Sequence, residues 1–374
     1  MISIAMPADN APSFSDYQAT RHFGSLNGLR FLCIAAVLWH HGPVWTSLEN
    51  APRIATRGFV GVDFFFVLSG FLITTLLMRE ASERGRFSLR GFYWRRFLRI
   101  IPVYFLVVTA VATYYIGVKG ETQYLSQLPF YYLFLANFLT TDIPLLSPMW
   151  SLAVEEQYYL VWPLLLMILP PGWLIPVLGF LVLLNVVAVI GWLTPLGIAA
   201  FEAGPLRFAM FNTTYAPILL GSVVAILLHR PASFAVLARF LSSAPACLLS
   251  FGTILALLQW LPADLQGWPN LALHIAMAIA LITIVIREDN ALRPVLALRP
   301  IARVGEISYG VYLYHLIGLH IANVGLGAAG LATQNWVVLL IYTGISIVIA
   351  DISFRTFERF FLNMKTKGWG RVRP

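Results

Sequence analysis

The chain has 374 residues, of which 59% are hydrophobic and only 11% are charged, and its mean hydropathy is +0.77. This composition excludes an ordinary soluble domain and indicates a membrane protein. Basic loops between apolar segments account for the formal net charge of +8, so the charge does not call for a nucleic-acid partner.

Residues 1–24 precede the first apolar segment. Their polar first part lacks the basic n-region and the apolar core of a signal peptide, so we expect a disordered cytoplasmic leader. Further along, residues 128–140 form an apolar segment that is too short to cross the hydrocarbon layer, and we expect it to be re-entrant or interfacial. The segments that are long enough to cross fall near 28–48, 58–78, 97–117, 150–169, 173–193, 208–229, 243–261, 270–287, 306–326 and 335–357.

The sequence therefore predicts an all-α, polytopic integral membrane bundle of about ten transmembrane helices, which occupies residues 25–361. A basic cytoplasmic tail follows at residues 362–374. If residues 128–140 do not span, most lysines and arginines fall in the loops on one side. The positive-inside rule then places both termini in the cytoplasm.

The first predicted helix carries Arg30 and His41, which are eleven residues apart. Eleven helical steps turn about 1100°, so the two side chains share one face within about 20° and lie about 16 Å apart. Ionisable groups at membrane depth are costly and mark a functional site. His40 is rotated about 80° from this stripe and is the weaker catalytic candidate. Alternatively, Arg30 only reaches the inner interface.

Carboxylates follow in the second and fourth predicted helices. Asp63 lies in the outer part of the second helix, and Glu155 and Glu156 begin the fourth helix from the outer side. We expect all three to reach the level of His41, where Asp63 or one glutamate orients its ring. Because adjacent residues differ by about 100° in facing, the two glutamates should not point at the same spot. The sequence leaves open which of them acts.

Arginines cluster at the inner side, just before the third predicted helix. Arg95, Arg96 and Arg99 suit a polyphosphate, since a guanidinium donates two parallel hydrogen bonds to phosphate oxygens. The alternative is a set of anchors for anionic lipid.

Six motifs together resemble those of the membrane acyltransferase-3 family, and they cover nearly the whole chain after residue 24. They are Arg30-x10-His41, the run from Gly61 to Thr74, Arg96-x2-Arg99, the run from Trp150 to Tyr159, the run from Ser308 to His315, and the run from Ser353 to Glu358. The chain is similar to the standalone form, which has no appended periplasmic domain.

The resemblance implies an enzyme of the bacterial inner membrane. Such an enzyme moves an acyl group, with acetyl expected, from acyl-CoA to a hydroxyl of a carbohydrate or lipid-linked glycan. Acyl-CoA is then a co-substrate, and no permanently bound cofactor, metal or nucleic acid is expected. The alternative function is a membrane transporter of acylated or glycan precursors. Transporters often contain internal repeats, and none is evident in this sequence.

The chemistry needs a base, because a sugar hydroxyl is a poor nucleophile at neutral pH. Histidine suits this task, and His41 is the candidate. Ser69 and Tyr312 are candidates to donate a hydrogen bond to the oxyanion. The resemblance assigns Trp150 and His315 to substrate binding, although Tyr312 and His315 could serve only in bundle packing. Direct transfer and an acyl-His41 intermediate are both compatible with the sequence.

Overall fold

A computed structural model describes residues 12–45, 50–193, 195, 201–203, 206–208, 214–331 and 335–367. Helices dominate this part of the chain. In chain order they are α1 (Phe14–Ala19), α2 (Ser25–His41), α3 (Arg53–Thr56), α4 (Val60–Arg84), α5 (Leu89–Ala112), α6 (Leu128–Tyr132), α7 (Met149–Ile168), α8 (Leu174–Val189), α9 (Ala216–His229), α10 (Pro231–Leu241), α11 (Ala244–Trp260), α12 (Trp268–Val285), α13 (Arg293–Leu296), α14 (Arg299–Glu306), α15 (Ser308–Ala328), α16 (Asn335–Ser353) and α17 (Arg359–Lys367).

A short antiparallel hairpin departs from the all-helical expectation. Strand β1 (Phe201–Ala203) pairs with β2 (Leu206–Phe208). The segment 128–140 is not one helix either: α6 is five residues long, and a 3-10 turn follows at Ala136–Phe138. This broken segment fits the expectation that it does not span the membrane.

Five of the described helices are long and apolar enough to cross a membrane, and a sixth crossing results if α9 and α10, bent by 104°, form one span. A helix also lies within each of the other predicted segments, including α2 and α7. The chain is therefore a helical, multi-pass membrane protein. The count of about ten crossings stays a prediction.

The leader prediction is wrong for the residues that the structure describes. Helix α1 forms within it, and Tyr17 and Phe23 are buried in the core. Arg79 of α4 donates hydrogen bonds to the Tyr17 carbonyl at 2.8 Å and to the Thr20 carbonyl. Burial raises the pKa of the Tyr17 phenol to about 12. The leader failed as a disorder prediction because its aromatic side chains find partners far away in the chain. Residues 1–11 and 368–374 lie outside the described residues.

Helix α4 is central, since it contributes to both hydrophobic core clusters. On one side it packs directly against α9. A Cβ at Gly70 would overlap the Ile218 carbonyl oxygen, and a Cβ at Gly221 would overlap the Val67 carbonyl oxygen. Two glycines that face opposite backbones allow this close approach, as in other membrane helix pairs.

Two helix starts fix the depth of the charged residues. Ser88 caps α5 by accepting a hydrogen bond from the Gly91 amide at 3.1 Å, so the arginines that follow lie inside the helix and not in a loop. Helix α7 begins at Met149, which places Glu155 about 9 Å along its axis. The arginines and the carboxylates therefore approach each other from opposite ends of the bundle.

Candidate active site

A cavity of about 200 Å³ lies between α2, α4, α5, α7 and α15. We call it the arginine cavity. Its charged lining residues are Arg30, Arg96, Arg99, Glu155 and Glu156. Apolar side chains of α4 make up much of the remaining wall. The cavity thus combines anion-binding groups with carboxylates inside a helical bundle.

A second cavity, of about 430 Å³, adjoins the first. We call it the entrance cavity. Arg30, Arg99 and Tyr309 line both cavities, so the two are neighbours that share part of their walls. The entrance cavity adds Arg21 and Arg79, and it lies where α2 begins and α4 ends. Two glutamates also line the entrance cavity, so it contains both basic and acidic side chains.

The guanidiniums of the arginine cavity have an excess of positive charge, three cations against two carboxylates. Among the described residues, none of Arg30, Arg96 and Arg99 forms a salt bridge. Arg30 donates to the Asn27 side-chain oxygen at 3.1 Å, and Arg96 lies 5.3 Å from the centre of the Tyr159 ring. Arg30 and Arg96 are half-buried and Arg99 is exposed. Because guanidiniums bind phosphate oxygens through paired hydrogen bonds, this cavity is suited to a phosphate-bearing ligand.

Not all of the predicted arginine cluster belongs to the cavity. Arg95 is exposed and donates to a Glu80 carboxylate oxygen at 3.0 Å, and it does not line either cavity. Consecutive helical residues differ by about 100° in direction, which separates Arg95 from Arg96. Arg95 therefore does not line the cavity that Arg96 and Arg99 line. Its prediction as part of the same phosphate site is wrong.

The two glutamates lie in one cavity, contrary to the expectation that they face different spots at the outer mouth. Glu155 accepts hydrogen bonds from the Ser69 hydroxyl and from the Tyr159 hydroxyl, the latter at 2.9 Å. Glu156 lines the same cavity. Both side chains reach this cavity although they leave α7 in different directions. Tyr159 was not singled out from the sequence, although its position four residues after Glu155 places it on the same helix face.

Asp63 does not orient His41 as expected. Its Oδ2 lies 3.3 Å from Nε2 of His274 on α12, and both side chains are buried. This is a close contact between a carboxyl group and an imidazole, and it is not an aligned hydrogen bond. Asp63 precedes Ser69 by six residues, a rotation of about 240°, so it faces the side of α4 away from the arginine cavity. His274 was missed, although a histidine within an apolar segment is itself a signal.

His41 is not among the residues that line the arginine cavity. Its ring packs edge-to-face against that of His315, with centroids 4.7 Å apart. The Nδ1 atom lies 3.1 Å from the Val37 carbonyl. A carbonyl only accepts, so Nδ1 carries the proton and Nε2 keeps a lone pair. His40 instead stacks on Trp45, with centroids 5.9 Å apart.

Tyr312 of α15 lines the arginine cavity. Its hydroxyl lies 2.6 Å from the Ser151 hydroxyl and donates to the Pro148 carbonyl at 3.0 Å. The proton of Ser69 is directed to Glu155. Neither Ser69 nor Tyr312 therefore offers a free O–H for an oxyanion in this structure. Arg30, Arg96 and Arg99 contribute N–H donors to the same cavity.

Trp150 also stands outside the cavity lining. Its ring meets Phe66 edge-on, with centroids 6.2 Å apart. The structure thus places Trp150 as a packing residue beside the cavity wall. Ser151, its neighbour, lines the cavity, although no sequence signal favoured it over Trp150.

Residues 23–355 match the family model described as an acyltransferase domain. The chain belongs to the acyltransferase-3 family. It is 26% identical over 365 residues to the peptidoglycan O-acetyltransferase OatA of Listeria monocytogenes, covering 90% of this chain and 55% of that protein. It is likewise 26% identical over 369 residues to the O-acetyltransferase OatA of Staphylococcus aureus, covering 90% of this chain and 57% of that protein. The chain thus spans little more than half the length of these relatives. No solved structure matches it.

Proposed function

We propose that the chain is an O-acyltransferase of the bacterial inner membrane, with both termini cytoplasmic. It takes an acyl group, in our proposal acetyl, from acyl-CoA and transfers it to a hydroxyl of a carbohydrate or lipid-linked glycan. The observation that carries the proposal is the set of three guanidiniums that face one cavity without a salt-bridge partner among the described residues. Both relatives are named as O-acetyltransferases, which supports acetyl as the acyl group. The Listeria relative is named for peptidoglycan, which supports a glycan as the acceptor.

The donor site follows from charge and shape. The phosphates of CoA match Arg96 and Arg99, because guanidiniums bind phosphate oxygens through paired hydrogen bonds. In the entrance cavity, Arg21 and Arg79 add two guanidiniums beside Glu306 and Glu358. The uncharged pantetheine arm then fits the narrower arginine cavity, whose walls include apolar side chains of α4. This order brings the thioester toward Tyr312.

The transfer needs one proton to move. His41 has a lone pair on Nε2, since the Val37 carbonyl fixes the proton on Nδ1. In our proposal Nε2 accepts the acceptor's hydroxyl proton while that oxygen forms a bond to the acyl carbon. The carbon–sulfur bond breaks, and the thiolate of CoA receives the proton. If the acyl group passes through His41 first, the balance of atoms is the same.

Release of free CoA tests this proposal. Purified protein in detergent receives acetyl-CoA and a hydroxylated glycan acceptor, and free thiol is measured with a thiol reagent. We expect release that depends on the acceptor and is lost in His41→Ala. A transporter would release no CoA under these conditions, so the absence of turnover in folded wild-type protein would contradict the proposal.

A further inference from the structure

Two side chains that line the entrance cavity lie between α1 and α2, where the chain has no regular secondary structure. They are Arg21 and His22, and both are exposed. Segments that connect helices usually move more than the helices themselves. A ligand-binding side chain on such a segment therefore requires contacts that hold its backbone in place.

Arg79 of α4 contacts this segment on both sides of Arg21. Its guanidinium donates hydrogen bonds to the Tyr17 carbonyl at 2.8 Å and to the Thr20 carbonyl. It also lies 5.2 Å from the centre of the Tyr17 ring and 5.3 Å from the centre of the Phe23 ring. The Thr20 carbonyl belongs to the peptide bond that joins Thr20 to Arg21. We call these contacts the Arg79 anchor.

Aromatic packing supports the same segment from outside the two cavities. Tyr17 and Phe23 are buried. The Tyr17 ring lies 5.3 Å, centroid to centroid, from Phe234 of α10, and the Phe23 ring lies 5.8 Å from Phe71 of α4. Neither Tyr17 nor Phe234 lines either cavity. The chain before Arg21 can thus be loosened without changing a residue that lines the cavities.

The charges of the entrance cavity leave Arg21 available to an anion. Among the described residues, Arg21 forms no salt bridge. The two glutamates of this cavity have other partners. Glu306 accepts a hydrogen bond from Arg303 at 2.7 Å, and Glu358 accepts one from the Ser353 hydroxyl at 3.2 Å. A guanidinium without a carboxylate partner is suited to a phosphate.

We propose that Arg79 is a positioning residue for Arg21, and that Arg21 contacts a phosphate on the nucleotide half of the acyl-CoA donor. This inference rests on the proposed function, in which Arg96 and Arg99 bind the same donor. CoA carries phosphate at two places, as a diphosphate bridge and as a phosphate on the ribose. Arg99 lines both cavities, so a donor at Arg99 has one phosphate group within reach of the entrance cavity.

Arg79→Lys separates the anchor from the charge. Lysine keeps a cation in the entrance cavity, but its single ammonium does not reproduce the planar fork that reaches two carbonyls. We expect Arg21→Ala to raise the KM for acetyl-CoA by about two- to fivefold, the range for an exposed ion pair. Arg79→Lys should raise this KM to a similar extent, and kcat should stay near wild type in both variants.

S-acetylpantetheine, which lacks the phosphates, shows whether the effect belongs to the nucleotide half. Its KM should be the same in wild type, Arg21→Ala and Arg79→Lys, since it makes no contact with Arg21. A general disturbance of the fold would instead affect both substrates. Arg84→Lys is the matched control, because Arg84 lies on the same helix and is exposed, 3.9 Å from Glu80. It should leave the constants for both substrates unchanged.

A double variant tests whether Arg79 acts through Arg21. Arg21→Ala/Arg79→Lys should have the same acetyl-CoA KM as Arg21→Ala alone, because an absent side chain needs no positioning. Additive effects would overturn the inference. So would an unchanged acetyl-CoA KM in Arg21→Ala or Arg79→Lys, or an equal rise in KM for S-acetylpantetheine.

Phe234→Ala loosens the chain before Arg21 from outside both cavities. It should raise the KM for acetyl-CoA, by no more than Arg21→Ala does, and leave that for S-acetylpantetheine unchanged. Phe240→Ala, an exposed position on the same helix, is its control and should change neither. A rise for both substrates in Phe234→Ala, or for neither, would contradict the anchor.

Failure of the proposed function is distinguishable from failure of this inference. If folded wild-type protein released no CoA, the proposed function would fall, and this inference with it. If wild type released CoA and Arg96→Ala raised the acetyl-CoA KM while Arg21→Ala and Arg79→Lys did not, the proposed function would stand. The roles of Arg21 and Arg79 would then be wrong.

Discussion

Helix α4 carries buried polar groups on two faces, and the two faces differ in how their charges are matched. On one face, Asp63 contacts His274 beside a cavity of only about 20 Å³. On the other, Ser69 and Glu155 border a cavity of about 200 Å³ that is also lined by three arginines without a salt bridge among the described residues. A carboxyl–imidazole contact with little room for a ligand is suited to a structural role. Arginines that line a larger cavity are suited to binding a ligand.

The largest effect should come from the base itself. We expect His41→Ala to lower the rate of acyl transfer by about 100- to 10,000-fold, the contribution of a positioned general base, while the protein still inserts and folds. His40→Ala is the control and should keep most of the activity, since His40 stacks on Trp45. If His40→Ala were inactive and His41→Ala were active, His40 and not His41 would be the base.

Removal of one cavity guanidinium should affect binding and not chemistry. Arg96→Ala or Arg99→Ala forfeits a charge-assisted hydrogen bond that is made equally in the ground and transition states. The KM for acetyl-CoA should rise by about 10- to 100-fold with kcat nearly unchanged. Arg95→Ala, which removes an exposed partner of Glu80, should leave both constants near wild type. An unchanged KM in both cavity variants would reduce these arginines to anchors for lipid.

Substitutions at Asp63 and His274 should change the stability of the protein and not its activity. His274→Ala leaves the buried Asp63 carboxylate without its partner, which should cost about 1–3 kcal/mol, measured by thermal unfolding in detergent. This loss of stability is small for a buried pair because Asp63 and His274 do not form an aligned hydrogen bond. A combined Asp63→Asn and His274→Gln variant should recover part of the loss. A tenfold fall in kcat without a change in unfolding would instead assign this pair to the chemistry.

Much of the helical framework was readable from the sequence, because membrane helices need long apolar runs. The Arg30–His41 stripe was predicted from helical geometry alone. The partners of those residues were not, because they depend on how the helices are rotated against one another. Asp63 faces α12, and Glu155 faces α4, although both lie in comparable apolar runs. The sequence shows which residues share one face of a helix. It does not show which neighbouring helix that face contacts.

Helix starts were a second source of error. Because α5 begins at Leu89, Arg96 and Arg99 enter the bundle instead of remaining in a loop. This shift brings them to the level of Glu155, which the sequence placed at the opposite side. The cap at Ser88 is a local signal that could have corrected the boundary.

Binding of CoA without turnover tests the central claim most directly. Thermal unfolding of the full chain in detergent is followed with CoA and with pantetheine, which lacks the phosphates. We expect CoA to stabilise wild type and His41→Ala alike, by about 2.7 kcal/mol at a concentration 100 times its Kd. Pantetheine should stabilise far less, and the Arg96→Ala/Arg99→Ala double variant should lose most of the CoA effect. Equal stabilisation by CoA and pantetheine, or an undiminished CoA effect in the double variant, would contradict the assignment of the arginine cavity as the donor site.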